Sequence, residues 1–384
     1  MIKKVFIILI IPALVNSGCR EEFMPEVNKY EDLLVVDGMI TNEPGPYQIT
    51  LSRSSSVNKP DFQPLSGCTV EITEENSGNS IGLTERDEPG VYMTPENGFQ
   101  AKAGEAYKLS IITPGNEHYE SDFIEMPEPV GIDTSHAELE FHESNEYPRP
   151  LGGYRFYITT KNAPEEKTYF LWRLSETYEY TANFRIQYIY RGRGIEPFTK
   201  RDSLYRCWKT QNVPEFFVGT TQGLSEPRIR KEPLHYISTE TKRLQERYSW
   251  EVKQYSISQE AYNFWKVIRE QTASDDFLFS SQPYQVRGNV YNVDDTDKAV
   301  MGFFTVASVT RERFFVDRPS AEFFYSECVT NPDLMALAYM PPERFPVYLT
   351  NTNEGIAFAA ENCFDCTLAG GKLKKPDFWR EGDN

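Results

Sequence analysis

Apolar and polar residues alternate with a period of two through much of the chain. Tyr47, Ile49 and Leu51 are separated by Gln48 and Thr50; Val70 and Ile72 sit among Thr69, Glu71 and Thr73. Tyr107, Leu109 and Ile111 repeat the pattern. Such alternation predicts half-buried strands, each with one face to hide. Leu33 to Ile40 is short and β-branched and predicts another strand. Pro and Gly punctuate between them, at Pro44-Gly45-Pro46, Pro64 to Gly67 and Pro89-Gly90. Six or seven short strands within residues 31–128 predict an immunoglobulin-like or transthyretin-like β-sandwich. Met126-Pro127-Glu128-Pro129 reads as a stiff, extended end to this unit.

Residues 129–384 continue as a larger β-rich domain. Tyr154, Phe156 and Ile158 alternate, and Tyr169 to Leu174 is apolar on both faces apart from Arg173, as in a central strand. Phe184, Ile186, Tyr188 and Tyr190 predict a further strand. Trp250 and Val252 share one face with Glu251 and Lys253 opposite, and Met301, Phe303 and Thr305 alternate again. One segment departs from period two. Ala261, Phe264, Trp265 and Ile268 recur at three- and four-residue spacings, which predicts a packed helix near 258–272. Ser258 is placed to cap it, with Glu260 in its first turn and Arg269 near its end. The segment from Asp133 to Glu146 is charged and reads as a solvated loop carrying His136 and His142.

The N-terminus has a different logic. Lys3 and Lys4 precede an apolar run, Val5 to Val15, that is too short for the roughly 20 residues of a membrane span. It reads as the core of an export signal covering residues 1–18. Ser17-Gly18 offers the small residues that a peptidase needs next to a cut, and Cys19 follows. Lipidation of Cys19 is expected, although Asn16 stands where such signals usually carry an apolar residue. Several acyl chains on one residue give stable anchoring to a membrane. Residues 19–30 would form a short tether, and ten extended residues reach only about 35 Å.

Composition narrows the partners. The chain carries 57 acids against 40 Lys and Arg. Removing Lys3 and Lys4 with the signal leaves 38 basic residues against the same 57, a formal charge of −19. That balance disfavours a phosphate backbone, so no nucleic-acid partner is expected. It also disfavours adsorption to an anionic membrane surface.

Beyond Cys19 there are five cysteines: Cys68, Cys207, Cys328, Cys363 and Cys366. The count is odd, so one thiol stays unpaired, and Cys68 is isolated in the first domain. Cys363-Phe364-Asp365-Cys366 has three readings: a redox pair, half of a zinc site, or structural disulfides. Export favours the last, with each member of the pair joined to Cys207 or Cys328 and the C-terminus tied to the β core. Asp294, Asp295 and Asp297 supply three oxygen donors of the kind Ca²⁺ takes, without the spacing of an EF-hand; the adopted reading is a solvated loop. No cofactor is expected. The chain has neither G-x-S-x-G nor H-E-x-x-H, and the expectation is a protein that is not an enzyme. Trp172, Tyr178 and Tyr180 are the candidate ligand-facing aromatics, with core packing as the competing role.

Several segments in order resemble one family. They include Val35-Val36-Asp37-Gly38-Met39-Ile40-Thr41, Pro64-Leu65-Ser66-Gly67-Cys68-Thr69-Val70 and Val252-Lys253-Gln254-Tyr255-Ser256-Ile257-Ser258. Pro283, Arg287-Gly288-Asn289-Val290 and Gly302-Phe303-Phe304 follow, then Cys363-Phe364-Asp365-Cys366 and Lys374-Lys375-Pro376-Asp377-Phe378-Trp379. The chain resembles the Bacteroidota outer-membrane or surface lipoproteins that carry domain of unknown function 4249. In that resemblance, Arg20-Glu21-Glu22 is similar to the signal that sends such lipoproteins to the cell surface. The family is commonly encoded beside TonB-dependent transporters. The resemblance therefore implies an outer-membrane, surface-exposed accessory subunit that captures a small or polymeric ligand. Two other functions stay open at this level: a stand-alone glycan- or peptide-binding lipoprotein, marked by an exposed aromatic platform, and a hydrolase, marked by convergent carboxylates. The family supplies no catalytic residue.

Overall fold

The computed structural model describes residues 32–55, 61–96, 98–272, 286–325 and 328–380. The signal, Cys19, Arg20-Glu21-Glu22 and Pro283 lie outside these residues. The described chain is mostly β with one packed α-helix.

The first unit is built from β1 (Leu34–Thr41), β2 (Gln48–Arg53), β3 (Gln63–Pro64), β4 (Thr69–Glu74), β5 (Ser80–Glu85), β6 (Val91–Met93), β7 (Ala106–Ile112), β8 (His118–Ser121) and β9 (Ile124–Glu125). The strands run in the order β1-β2-β6-β5-β4-β7-β8 and curl around one core. The alternating residues do what their period dictates: Leu34, Val36, Ile49, Leu51, Leu109 and Ile111 are fully buried there.

The second unit contains β10 (Ile132–His142), β11 (Leu151–Thr160), β12 (Tyr169–Thr181), β13 (Tyr188–Tyr190), β14 (Ile195–Pro197), β15 (Arg206–Thr220), β16 (Glu232–Ser238) and β17 (Arg247–Ile257). Then come α1 (Gln259–Thr272), β18 (Val290–Asn292), β19 (Met301–Asp317), β20 (Val347–Thr352) and β21 (Gly355–Phe358). The sheet β10-β11-β16 lies against β15-β12-β17-β19. Between them Phe156 meets Trp250 at 4.6 Å and Phe170 stacks on Trp172 at 5.5 Å. Each such side chain, buried whole, contributes about 1.5–3 kcal/mol. The helix covers the other face of the larger sheet. Ser258 caps it through the Ala261 amide at 3.1 Å, and Phe264 packs on Phe303 at 4.8 Å. A small sheet, β14-β13-β20-β21, forms a separate cluster near the C-terminus.

Three expectations need correction. The division near residue 128 is crossed twice. β1 pairs in parallel with β19, Val36 opposite Gly302 and Ile40 opposite Val306, and β18 pairs with β8. Phe304, Val306 and Val290 thereby enter the first core. The physical reason is that β1 is apolar and bonded to β2 on one edge only, so its other edge needs a partner strand. Gly302 permits the join: it has φ +82°, and a side chain there would run into the Val36 carbonyl. Second, the segment from Asp133 is strand β10 up to His142, because Ala137, Leu139 and Phe141 alternate with His136, Glu138, Glu140 and His142 and pair along β11. Third, the strand expected from Phe184 to Tyr190 is reduced to Tyr188–Tyr190. Phe184 and Ile186 instead pack around Cys363 and Phe364.

Candidate ligand clefts

The cysteines resolve the CxxC. Cys207 is bonded to Cys366 and Cys328 to Cys363, across sequence separations of 159 and 35. The first bond fastens the start of β15 to the tail, where the Tyr180 hydroxyl also donates to the Cys366 carbonyl at 2.6 Å. The second closes the segment that holds β20 and β21. Cys68 is a free, half-buried thiol, and burial pushes its pKa up.

The aromatics proposed to face a ligand do not. Trp172 is fully buried, and Tyr178 and Tyr180 are 8% and 4% exposed. All three point between the two sheets of the second unit, and the Trp172 indole donates to Gln254 Oε1 at 2.9 Å. Their spacing along β12 puts them on its inner face, the face an apolar strand hides. Asp294, Asp295 and Asp297 do not converge on a cation site either. The Asp294 and Asp295 amides donate to Asn292 Oδ1, and the Asp297 amide donates to Asp295 Oδ1, so the loop closes on itself. Among the described residues no group of three or more His, Cys, Asp or Glu is arranged to hold a metal.

A polar network lies inside the second unit. Glu176 is 1% exposed and accepts from the Tyr248 hydroxyl at 2.7 Å, Gln211 Nε2 at 2.5 Å and Arg243 at 3.3 Å. Burial, then the Glu176 charge, holds the Tyr248 phenol well above its ordinary pKa. His235 is buried nearby with Nδ1 3.6 Å from Glu215, and burial pushes its pKa down.

Several clefts open on the described surface, among them three of about 350–700 Å³. One of about 560 Å³ lies between α1, β9 and β18, with Asp122, Glu260, Asn263, Phe264 and Arg287 in its walls. One of about 700 Å³ lies in the disulfide-closed C-terminal segment, between Met340, Phe345, Tyr348 and Phe358. Val329, Met335 and Tyr339 in that segment are 87%, 70% and 84% exposed.

The third cleft, of about 350 Å³, sits where the two units meet. β1, the β1–β2 turn, β12, β17 and α1 all contribute to it. Its charges come from register. Arg173 on β12 lies directly opposite Lys253 on β17, and Lys253 lies opposite Arg311 on β19. Three cations therefore form one row across three neighbouring strands. Like charges directly opposed destabilise a sheet, by roughly 1 kcal/mol per pair when solvated. Arg311 is neutralised by an ion pair with Glu43. Arg173 lies over the Trp265 ring at 5.2 Å, a contact that leaves its charge unpaired. Lys253 makes no side-chain hydrogen bond or ion pair among the described residues. Asp37, Glu43, Tyr47 and Tyr255 also line the wall. In the sequence Arg173 stands out only as the exception in an apolar strand. The pairing that aligns it with Lys253 spans 80 residues and has no local signal.

The fold thus defines a class: two β units that share one sheet, with clefts at the joint and at the C-terminal end. Within that class the chain belongs to the family described as Domain of unknown function (DUF4249), whose model matches residues 20–313. No curated protein matches the chain.

Proposed function

We propose that the protein is a non-catalytic, lipid-anchored accessory subunit of a TonB-dependent outer-membrane transporter, holding cargo at the transporter mouth on the cell surface. The observation that carries this reading is the cleft at the joint of the two units, whose walls present unpaired cations beside aromatic rings. That chemistry suits holding a ligand. The tether supports the placement. From Cys19 to Leu34 the chain is short, and β1 sits between β2 and β19 in the sheet, so an anchor would pull on a strand bonded along both edges. In this reading the first unit is an immunoglobulin-like or transthyretin-like sandwich that carries the second unit clear of the lipid. Extraction of native membranes in mild detergent, followed by purification of the tagged protein, tests the association. A co-purifying outer-membrane barrel is expected; recovery of the protein alone refutes it.

A second reading, a stand-alone glycan- or peptide-binding lipoprotein, draws on the outer face of β10-β11-β16. There His142 stacks on Tyr236 at 4.3 Å and His136 on Tyr157 at 5.5 Å, with Arg155 and Lys231 over the tyrosine rings. Binding of soluble glycans by the anchor-free body, lost on Tyr157→Ala, distinguishes it from the first.

A further inference from the structure

We infer that the cleft between β1 and the β12–β17 pair is a site for a small organic anion, a carboxylate or phosphate ester gripped by Arg173 and Lys253. The inference rests on the cargo-holding reading and names the chemistry of the cargo.

Three observations converge. The first is the cross-strand row. Opposing Arg173 to Lys253 and Lys253 to Arg311 works against the sheet, and a purely structural position would be filled by a neutral or acidic partner. The next row of the same sheet does that: Glu251 lies opposite Arg313 and the two pair at 3.0 Å. The second is occupancy. Of the three cations, only Arg311 has its carboxylate, and Arg173 and Lys253 are left with their charges open to the cleft. The third is setting. The formal charge of the chain is −17, so an anion approaches against the net field and needs a local concentration of positive charge. The cleft wall carries Arg173 and Lys253 with Asp37 and Glu43, and only with Arg311, which pairs Glu43 from behind the wall, do the formal charges sum to +1.

The geometry also defines the mode of binding. The Arg173 guanidinium lies over the Trp265 ring, and its planar fork suits the two oxygens of a carboxylate or phosphate. Lys253, on the adjacent strand, supplies a point charge beside it. Asp37 faces the same volume from β1 and would accept from a hydroxyl or ammonium elsewhere on the ligand. A cleft of about 350 Å³ admits a molecule the size of citrate and excludes a folded chain.

Calorimetric titration of the purified full body with citrate, inorganic phosphate and glucose tests the site. Saturable binding of citrate or phosphate, absent for glucose and weakened by salt, is expected. Arg173→Gln and Lys253→Gln should each weaken it about tenfold or more, as loss of a charge-assisted hydrogen bond does. Thermal unfolding of the same variants separates a site from a structural row: Lys253→Gln should melt at or above the wild-type temperature, since it removes a repulsion and no ion pair, whereas Arg173→Gln also gives up the Trp265 contact and should stay near it. Absence of binding by both anions, or binding unchanged in both variants, overturns the inference, as does a lowered melting temperature in both. A protein that fails these tests but still co-purifies with a barrel leaves the accessory role standing and removes only the anion.

Discussion

Replacing Cys207 and Cys366 together by alanine removes a cross-link that closes a loop with a sequence separation of 159. In the chain-entropy account the cost grows with the logarithm of loop length, which gives about 5 kcal/mol for this bond. The same arithmetic for Cys328 and Cys363, separated by 35, gives about 4 kcal/mol. Domains are usually stable by only about 5–15 kcal/mol, so either loss is a large share. Alanine is the right replacement because Cys207, Cys363 and Cys366 are buried, and serine would hide a hydroxyl. Urea unfolding followed by tryptophan fluorescence reads the effect in the second unit, since Trp172, Trp208, Trp250, Trp265 and Trp379 all belong to it. With a slope of about 3 kcal/mol/M, the midpoint falls by roughly 1.5–2 M for the long loop and by slightly more than about 1 M for the short one. The short loop closes a small satellite cluster, so its removal should also expose the amides of β20 to hydrogen exchange before the large sheet opens. The reasoning is refuted if the short-loop variant is the less stable of the two, or if the long-loop variant moves by less than about 0.3 M.

Two more predictions concern the buried network. Glu176→Leu leaves the Tyr248 hydroxyl, Gln211 and Arg243 without their acceptor and should cost about 3–5 kcal/mol in urea unfolding, with Glu176→Gln costing clearly less; equal losses would contradict the network. Burial holds the His235 pKa below the ordinary value near 6.5, so the unfolded chain takes up the proton first. Stability is then full above about pH 6.5 and is lost as pH falls from there toward the folded-state value. His235→Gln should flatten that part of the stability–pH curve, and an unchanged slope would show that other groups cause it.

The local levels of the fold were legible in the chain. Period-two alternation located β2, β4, β7 and β11, and the spacing of Ala261, Phe264 and Trp265 located α1, because each pattern is set by its own element's geometry. The odd cysteine count marked one free thiol, and the disulfides join the residues expected, though spacing left their pairing open. What could not be read depends on distant register. Nothing near Leu34 announces that β1 will take a parallel partner more than 260 residues away, and so the sheet that unites the two units was hidden. The candidate site failed for a related reason. Trp172, Tyr178 and Tyr180 were conspicuous as aromatics, but aromatic rings on the inner face of a strand serve packing. Arg173 and Lys253 look like ordinary surface charges until the strands are paired.

The most direct test of the account is the intact mass of the N-terminal peptide from native membranes. A mature chain that begins at Cys19, heavier by a diacylglycerol and a further acyl group and recovered with the membrane, is expected. A free thiol at Cys19 on soluble protein would contradict it, for then nothing would hold the body beside a transporter.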